Sequence, residues 1–584
     1  MSLDQPTLGG RGLPRWLAEL MWKWEHAFER ARASGRAEDD TRIRIFVVMA
    51  VFSAAFVVLA IGATRAALFS DAAHATGGAP LGASRADLVD RNGRMLAADL
   101  LHYGLYINPR EIWDTAETRQ ALSRTLPELD MARLERALRG NRRVFVMGAL
   151  TPEARNRVHV LGLPGVTFEP EQRRVYPLGT SAAHIVGFSD AGGEGLSGVE
   201  AAFNDEIRQA VHTGGSVALS IDLRVQGALE DELYKAVAEF TPKGAVGLVT
   251  DVHTGEVLGM ASWPAMDPNR PGRSSVYAQT NRAAASVFEM GSTFKAFTVA
   301  IGLDSGVATP ESTFDARFPY KMGYRTIQDY HAARKVLTLV EVFQHSSNIG
   351  TAKLAQAVGP ERMGRYFDGL GLTTPAKVEL IENARPLTPK VWNDDAVASS
   401  SFGHGINVTP LALARAMSAL LNGGELIPLT VRKLEPGVKV AGTRVMSERT
   451  SLQMLSIMRA NVTGGSGKSA DIPGLSVGGK TGTGEKYDPA IRAYNTQRQV
   501  SSFAAVFPTT GPADAKRYFV LILLDEPNGT AASAGYSTGG WVAAPAAGRV
   551  IERIAPFLGV RRRTDVGQAI PVEPPSEETV GEGR

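Results

Sequence analysis

A serine and a lysine, three residues apart, open an apolar stretch with helical character in the middle of the chain. The segment reads Gly291-Ser292-Thr293-Phe294-Lys295, and Phe297, Val299, Ile301 and Leu303 follow it. Residues at i and i+3 share a helix face, so the lysine amine can reach the serine hydroxyl. A desolvated, neutral lysine can activate a serine nucleophile, and a helix N-terminus stabilises developing negative charge. By itself, such a pair is more often a capping serine followed by a solvated lysine.

Two other short segments carry side chains that could complete such a site. In Ser346-Ser347-Asn348 a hydroxyl could relay a proton and an amide could orient a lysine or a substrate carbonyl, although loops are rich in both residue types. The segment 479–483 (GKTGT) ends a predicted strand. Its amine and hydroxyls form a patch suited to a carboxylate, and its small residues let a substrate lie along the strand edge. A glycine-rich turn after a strand is the other reading, and the spacing excludes a phosphate loop.

The elements around these segments predict a mixed α/β (α+β) domain. Helices are expected at 222–240, at 410–421 (with Thr409 as N-cap, Pro410 in the first turn and Gly423 as the stop) and at 542–558. Strands are expected at 245–250, 257–261, 475–483, 500–507 and 518–524. Short adjacent strands imply an antiparallel sheet, which the mostly helical middle of the chain would cover.

In this order, the three motifs resemble the set shared by penicillin-binding proteins and β-lactamases. Further segments resemble the pedestal and transpeptidase signatures of class B penicillin-binding proteins: 85–93 (RADLVDRNG), 174–179 (RVYPLG) with His184, 195–200 (GLSGVE), 220–224 (SIDLR), 251–258 (DVHTGEVL), 281–283 (NRA) and 401–410 (SFGHGINVTP). The resemblance covers about residues 85 to 560. Within class B, the runs 287–289 and 401–410 look most like the septal, cell-division transpeptidase; the elongation paralogue is the alternative.

The resemblance implies a peptidoglycan D,D-transpeptidase with a penicillin-binding transpeptidase fold: a central antiparallel sheet covered by helices, and an α+β pedestal. It implies catalytic roles for Ser292, Lys295, Ser346 and Asn348, and a substrate-binding role for Lys480, Thr481, Gly482 and Thr483. The expected partners are stem peptides of lipid-linked or nascent peptidoglycan, β-lactams as covalent inhibitors, a glycosyltransferase of the SEDS type (FtsW-like) and other membrane proteins of division. Two departures stand out: Met290 replaces the usual proline, with an expected tuning effect, and Gly484 replaces a common alanine and suggests a more pliable strand.

An uncharged stretch, residues 45–64, is long enough to cross a bilayer as a helix. More basic residues precede it than follow it, which places the N-terminus in the cytoplasm and the remainder in the periplasm, with a single pass through the inner membrane. The expected organisation is a cytoplasmic stub (1–44), the transmembrane helix (45–64), a linker (65–84), a pedestal of the dimerisation type (85–220), a transpeptidase domain (221–560) and a disordered tail (561–584).

Composition excludes several classes of function. The 584 residues include no cysteine, which removes disulfides, thiolate nucleophiles and cysteine metal sites, and no two of the ten histidines stand at i and i+4. No metal and no cofactor are therefore expected. The formal charge of +3 is too small to suggest a nucleic-acid-binding surface.

Three other functions stay open at this point. A β-lactamase or D,D-carboxypeptidase would release the acyl-enzyme with water, but the large pedestal and the anchor argue against it. A β-lactam sensor would need more intracellular machinery than a short stub. A division scaffold with a secondary catalytic site is the alternative from a different class.

Overall fold

The computed structural model describes residues 85–488 and 493–563, together with scattered positions between 48 and 60. The chain divides into two compact units, residues 1–81 and 82–584, and the second holds all three candidate motifs. The predicted stub, linker and nearly all of the tail lie outside the described residues, as does much of the predicted span 45–64, whose described positions are helical. No helix among the described residues combines the length and apolar character that a membrane crossing requires.

The strands and helices of the second unit alternate along the chain. The strands are β1 (Asp87–Val89), β2 (Met95–Ile107), β3 (Val144–Leu150), β4 (Val166–Val175), β5 (Ser216–Ala218), β6 (Gly244–Asp251), β7 (Val257–Trp263), β8 (Thr313–Asp315), β9 (Tyr320–Met322), β10 (Arg325–Ile327), β11 (Val336–Thr338), β12 (Glu425–Leu426), β13 (Thr443–Arg444), β14 (Gly478–Asp488), β15 (Ala493–Phe507) and β16 (Tyr518–Asp525). The helices are α1 (Thr115–Thr125), α2 (Met131–Leu138), α3 (Pro152–His159), α4 (Ala183–Val186), α5 (Gly198–Ala202), α6 (Asn204–His212), α7 (Leu223–Phe240), α8 (Val276–Gln279), α9 (Arg282–Ala285), α10 (Lys295–Asp304), α11 (Leu339–Gln344), α12 (Asn348–Val358), α13 (Pro360–Gly369), α14 (Asp394–Ser400), α15 (Pro410–Leu421), α16 (Glu448–Gly464) and α17 (Gly539–Ile554).

A five-stranded antiparallel sheet forms the centre of the region that contains the motifs. Its strand order is β14–β15–β16–β6–β7. Every residue of β6 and β16 is buried, because helices cover both faces of the sheet. Helices α7 and α17 pack on one face, and the core of the helical middle packs on the other. The prediction of an antiparallel sheet covered by helices is confirmed.

Local signals in the sequence placed several of these elements correctly. Helix α15 begins after Thr409, whose side-chain Oγ1 accepts a hydrogen bond of 3.1 Å from the Ala412 backbone N–H. It ends at Leu421, and Gly423 then adopts a φ of +92°, a left-handed conformation that favours glycine. Helix α7 begins after Asp222, whose side chain caps the helix by accepting a hydrogen bond from the Arg224 backbone N–H.

A second five-stranded sheet forms the pedestal. Strands β3, β2, β1 and β5 follow one another, β4 pairs with β2, and β1 and β5 run parallel. A separate apolar core lies between β2, β3 and helices α1 to α3. The α+β character expected for this region is confirmed.

The signature segments of the pedestal meet in a buried ion network. Arg85 donates to Glu200 Oε2 over 2.8 Å, and Arg174 donates to Glu200 Oε1 over 2.7 Å. Arg174 also lies 3.3 Å from Asp99, and none of the four side chains is more than 5% exposed. Three segments that are up to 115 residues apart in sequence are therefore fixed by one carboxylate.

Removing that carboxylate is expected to destabilise the pedestal strongly. Glu200→Ala leaves two buried guanidinium groups poorly compensated, which costs about 3–5 kcal/mol of unfolding free energy. The half-exposed pair of Glu206 and Arg432 provides a matched control, since Glu206→Ala should cost less than about 1 kcal/mol. Urea unfolding of the full-length protein measures both; equal losses in the two variants would contradict a structural role for the network.

Candidate active site

The nucleophile segment enters the domain as one continuous helical run. Residues Gly291–Phe294 form a single 3₁₀ turn that leads directly into α10, so Ser292 lies at the N-terminal end. Gly291 has a φ of +53°, and a Cβ atom on it would lie 2.4 Å from the Thr483 carbonyl oxygen. Only glycine allows the nucleophile segment to approach β14 this closely.

Strand β14 is the edge strand of the central sheet, and it carries the third motif. Lys480 and Thr481 are buried, whereas Thr483 is partly exposed. A Cβ atom on Gly482 would lie 2.5 Å from the Met290 carbonyl oxygen, so this position also lets the two segments pack closely. The turn that contains Ser292 is thus packed directly against the segment of β14 that contains Thr483.

The amines of the first and third motifs meet at the second. Lys295 Nζ lies 3.1 Å from Ser346 Oγ and also donates to the Ser346 carbonyl. Lys480 Nζ lies 3.0 Å from the same Oγ atom. Ser346 has a φ of +56°, a conformation that non-glycine residues adopt rarely and mostly where a site requires it. One hydroxyl therefore lies between two amines.

Both lysines are fully buried, with an exposed fraction of 0%. Burial lowers the pKa of Lys295 to about 7, because a charged amine loses its hydration there; the nearby Asp329 opposes this shift. Burial also lowers the pKa of Lys480 well below its ordinary value, and the Lys295 charge lowers it further. Repulsion between the two amines disappears once one of them is neutral, so the pair favours a state with a single positive charge.

The surroundings of Lys480 suit an ammonium group. Its amine donates to the carbonyl and hydroxyl oxygens of Thr481 over 3.1 and 3.3 Å, in addition to Ser346. The amine also lies 5.6 Å from the centre of the Phe343 ring. Three acceptors match the three protons of an ammonium group, whereas Lys295, among the described residues, donates only to the two oxygens of Ser346.

Two contacts expected from the sequence are not formed. Among the described residues, Ser292 Oγ has no hydrogen-bond partner, and the Lys295 amine points to Ser346 instead. Asn348 does not contact Lys295 either: its side-chain amide donates to the Gln328 carbonyl over 3.0 Å. Nucleophile and base often align only once substrate is bound, so the first difference is compatible with catalysis.

Several residues that sequence reasoning missed hold these motifs in place. Asp329 accepts hydrogen bonds from Ser347 Oγ at 2.7 Å and from the Ile349 backbone N–H at 2.9 Å, which fixes the start of α12. Ser466 shares a hydrogen bond of 2.7 Å with Thr481 Oγ1, and Asn461 donates to the Gly479 carbonyl. Each is 15 to 20 residues from its hydrogen-bond partner in the motif, in segments without a distinguishing pattern.

A second hydrogen-bonded group borders the nucleophile. Glu289 accepts hydrogen bonds of 3.0 Å from the Gly405 backbone N–H and from the Tyr494 hydroxyl. Burial raises the pKa of Glu289 above its ordinary value, and burial lowers the pKa of His404 to about 4. His404 packs its ring against Tyr494 with ring centres 5.6 Å apart, so it is a neutral packing residue at pH 7.

The two departures from the family pattern have structural explanations. Met290 is buried with a φ of −80°, close to the angle that proline would impose, so the backbone keeps the same path. At Gly484 a Cβ atom would lie 2.3 Å from the Glu289 carbonyl oxygen. Close packing is therefore the reason for glycine at 484, in place of the pliability that the sequence suggested.

Comparison with known proteins identifies the family. The sequence-family model described as "Penicillin binding protein transpeptidase domain" matches residues 245–552. The family model described as "Penicillin-binding Protein dimerisation domain" matches residues 80–209. The chain is 65% identical to the probable peptidoglycan D,D-transpeptidase FtsI of Caulobacter vibrioides over 97% of each sequence. It is 31% identical to the peptidoglycan D,D-transpeptidase FtsI of Escherichia coli over 80% of this chain and 82% of that one.

A solved structure agrees at the level of fold. Penicillin binding protein 3 of Mycobacterium tuberculosis, complexed with aztreonam, superposes with a TM-score of 0.63 at 24% identity, covering 82% of this chain and 98% of that one. The resemblance inferred from the motifs is confirmed. The chain belongs to the penicillin-binding protein family, with its transpeptidase domain preceded by a dimerisation-type domain.

Proposed function

We propose that the protein is a serine-type peptidoglycan D,D-transpeptidase that cross-links stem peptides during septal wall synthesis. The observation that carries the proposal is the convergence of all three motifs on Ser346, whose hydroxyl lies within 3.1 Å of both lysine amines. The relatives from Caulobacter vibrioides and Escherichia coli are both named as peptidoglycan D,D-transpeptidase FtsI, which supports both the reaction and the septal role.

Donor binding uses the edge of the central sheet. The stem peptide ends in D-Ala-D-Ala and lies along the outer edge of β14 as an added strand. Its carboxylate meets Lys480, Thr481 and Thr483, while Gly482 leaves room for its backbone. Binding of that carboxylate stabilises the ammonium state of Lys480, so the neutral member of the lysine pair is Lys295.

Acylation begins when Ser292 Oγ attacks the penultimate carbonyl carbon and Lys295 accepts the hydroxyl proton. The oxyanion is stabilised by the backbone N–H groups of Ser292 and Thr483, and each such donor contributes about 3–4 kcal/mol in other acyl-transfer enzymes. Ser346 passes a proton to the leaving D-alanine. The side chain of Asn348 contacts the substrate amide, whereas Ser346 orients Lys295.

An amine from a neighbouring stem peptide then attacks the acyl-enzyme and leaves a cross-link. A β-lactam mimics the donor and stays attached to Ser292. Residues 221–560 form the transpeptidase domain and residues 85–220 the pedestal that contacts partners. No glycosyltransferase signature is found in the sequence, so a SEDS-type glycosyltransferase (FtsW-like) supplies the glycan strands.

The chain acts as a membrane-anchored periplasmic enzyme. The segment 45–64 is the single anchor in the inner membrane, with residues 1–44 in the cytoplasm. This topology places the serine–lysine site beside the cell wall, where a cysteine nucleophile would be exposed to oxidation.

Mass spectrometry after penicillin treatment tests the nucleophile. The full-length protein should gain the mass of one penicillin on the peptide that contains Ser292, and Ser292→Ala should gain none. Ser305→Ala, at the end of α10, serves as the matched control and should acylate normally. An adduct elsewhere, or no adduct in the unmodified protein, would refute the assignment.

The acylation rate should depend on pH through Lys295. Since the pKa of Lys295 is about 7 and only its neutral form accepts a proton, the penicillin acylation rate should rise with pH and reach half its maximum near pH 7. Lys295→Arg keeps the positive charge at every working pH and should lose acylation altogether. Stopped-flow kinetics measures both; a rate independent of pH across this range contradicts the role of Lys295 as the base.

Localisation separates the septal role from the elongation role. A fluorescent fusion of the full chain should accumulate at midcell in dividing cells, because septal synthesis takes place there. Accumulation along the lateral wall would assign the enzyme to elongation.

A further inference from the structure

A cavity of about 590 Å³ lies beside the second motif, outside the residues assigned to the donor. Residues 316–319 and 328–334 form most of its lining, together with Ile349 at the start of α12. The first segment connects β8 to β9 and the second connects β10 to β11; β9 and β10 form a hairpin, and β8 pairs with β11. The volume falls within the range of small-ligand sites.

The cavity is tied directly to the catalytic residues. Gln328 accepts the hydrogen bond from Asn348, and Asp329 accepts those from Ser347 and Ile349. Both lining residues therefore contact the motif that contains Ser346.

The lining is cationic and aromatic. Arg317 is held in a forked pair by Asp315, while Arg334 has no ion-pair partner among the described residues. Asp329 is the one acidic residue of the lining, and both of its oxygens already accept hydrogen bonds. Phe318 and Tyr330 are more than 70% exposed, so they offer apolar ring faces to a ligand.

Arg334 also has an unusual backbone. Its φ is +52°, in the left-handed region that non-glycine residues rarely occupy. Such residues concentrate at active sites and ligand clamps, where the surrounding structure enforces them. Ser346, in the second motif, has the same conformation, with a φ of +56°.

The chemistry of the second half-reaction points to the same place. The acceptor nitrogen attacks the carbonyl carbon of the acyl-enzyme, the C–N bond forms and the bond to Ser292 Oγ breaks. The proton lost by the amine must return to Ser292 Oγ. By microscopic reversibility, the group that protonates the leaving D-alanine also receives the proton of the acceptor amine, so the acceptor amine must approach Ser346.

We infer that this cavity binds the acceptor stem peptide, with Arg334 meeting one of its carboxylates and the ring faces of Phe318 and Tyr330 packing on its apolar parts. The inference rests on the proposed transpeptidase function and names the site of its second substrate. A carboxylate-bearing peptide complements a cavity with unpaired guanidinium charge and no free acidic group.

Partitioning of the acyl-enzyme tests the inference. Full-length protein is given a D-Ala-D-Ala donor peptide and a synthetic acceptor stem peptide with a free amine and two carboxylates. The ratio of cross-linked to hydrolysed product is then measured. Arg334→Gln should lower this ratio about tenfold, which corresponds to the loss of one hydrogen bond to a charged group. Tyr330→Ala should lower it as well.

Lys321→Gln is the matched control, because Lys321 is an exposed cation on β9 that does not line the cavity. It should leave the ratio unchanged. Penicillin acylation requires only the donor site. The acylation rate of Arg334→Gln should therefore stay within about twofold of that of the unmodified protein, and a larger loss would indicate a folding defect.

An unchanged ratio in Arg334→Gln and Tyr330→Ala would overturn the inference. This is also the result expected if the cavity binds a protein partner in place of the acceptor peptide. Equal losses in Lys321→Gln would overturn it too, since they would reflect general surface charge. Failure of the unmodified protein to be acylated by penicillin would instead refute the proposed function, and the inference with it.

Discussion

Two fully buried lysine amines that share one serine hydroxyl are the constraint on which the rest of the site depends. Lys295 and Lys480 lie 3.1 and 3.0 Å from Ser346 Oγ, and no carboxylate pairs with either amine among the described residues. Two ammonium groups at this spacing and depth would be costly, so the fold favours one neutral amine. A neutral amine of this kind can serve as the base that the proposed mechanism assigns to Lys295.

The packing around this pair explains why small residues recur at the site. Gly291 and Gly482 bring the nucleophile turn against β14, and Gly484 makes room for the Glu289 carbonyl. Hydrogen bonds from more distant segments then fix the second motif. Asp329 accepts one from the Ile349 backbone N–H at the start of α12, and the Gln328 carbonyl accepts one from the Asn348 side chain. These hydrogen bonds hold the residues that directly follow Ser346.

Much of the fold and the composition of the site could be predicted from sequence, because the governing signals are local. The cap at Thr409, the stop at Gly423 and the apolar strands 245–250 and 518–524 all depend on neighbouring residues. The direction of the Asn348 side chain could not be predicted, since it depends on Gln328, twenty residues away in a short hairpin. The packing of Gly484 against the Glu289 carbonyl could not be predicted either, because it depends on another segment and not on the sequence of the strand itself.

The charge states of the two amines test the account most directly. Neutron diffraction counts the deuterons on each Nζ atom at one pH unit above the Lys295 pKa of about 7, with a carboxylate-bearing donor analogue bound. The account predicts two deuterons on Lys295 and three on Lys480. Three deuterons on Lys295 would contradict it, because the amine would then be unable to accept the proton of Ser292.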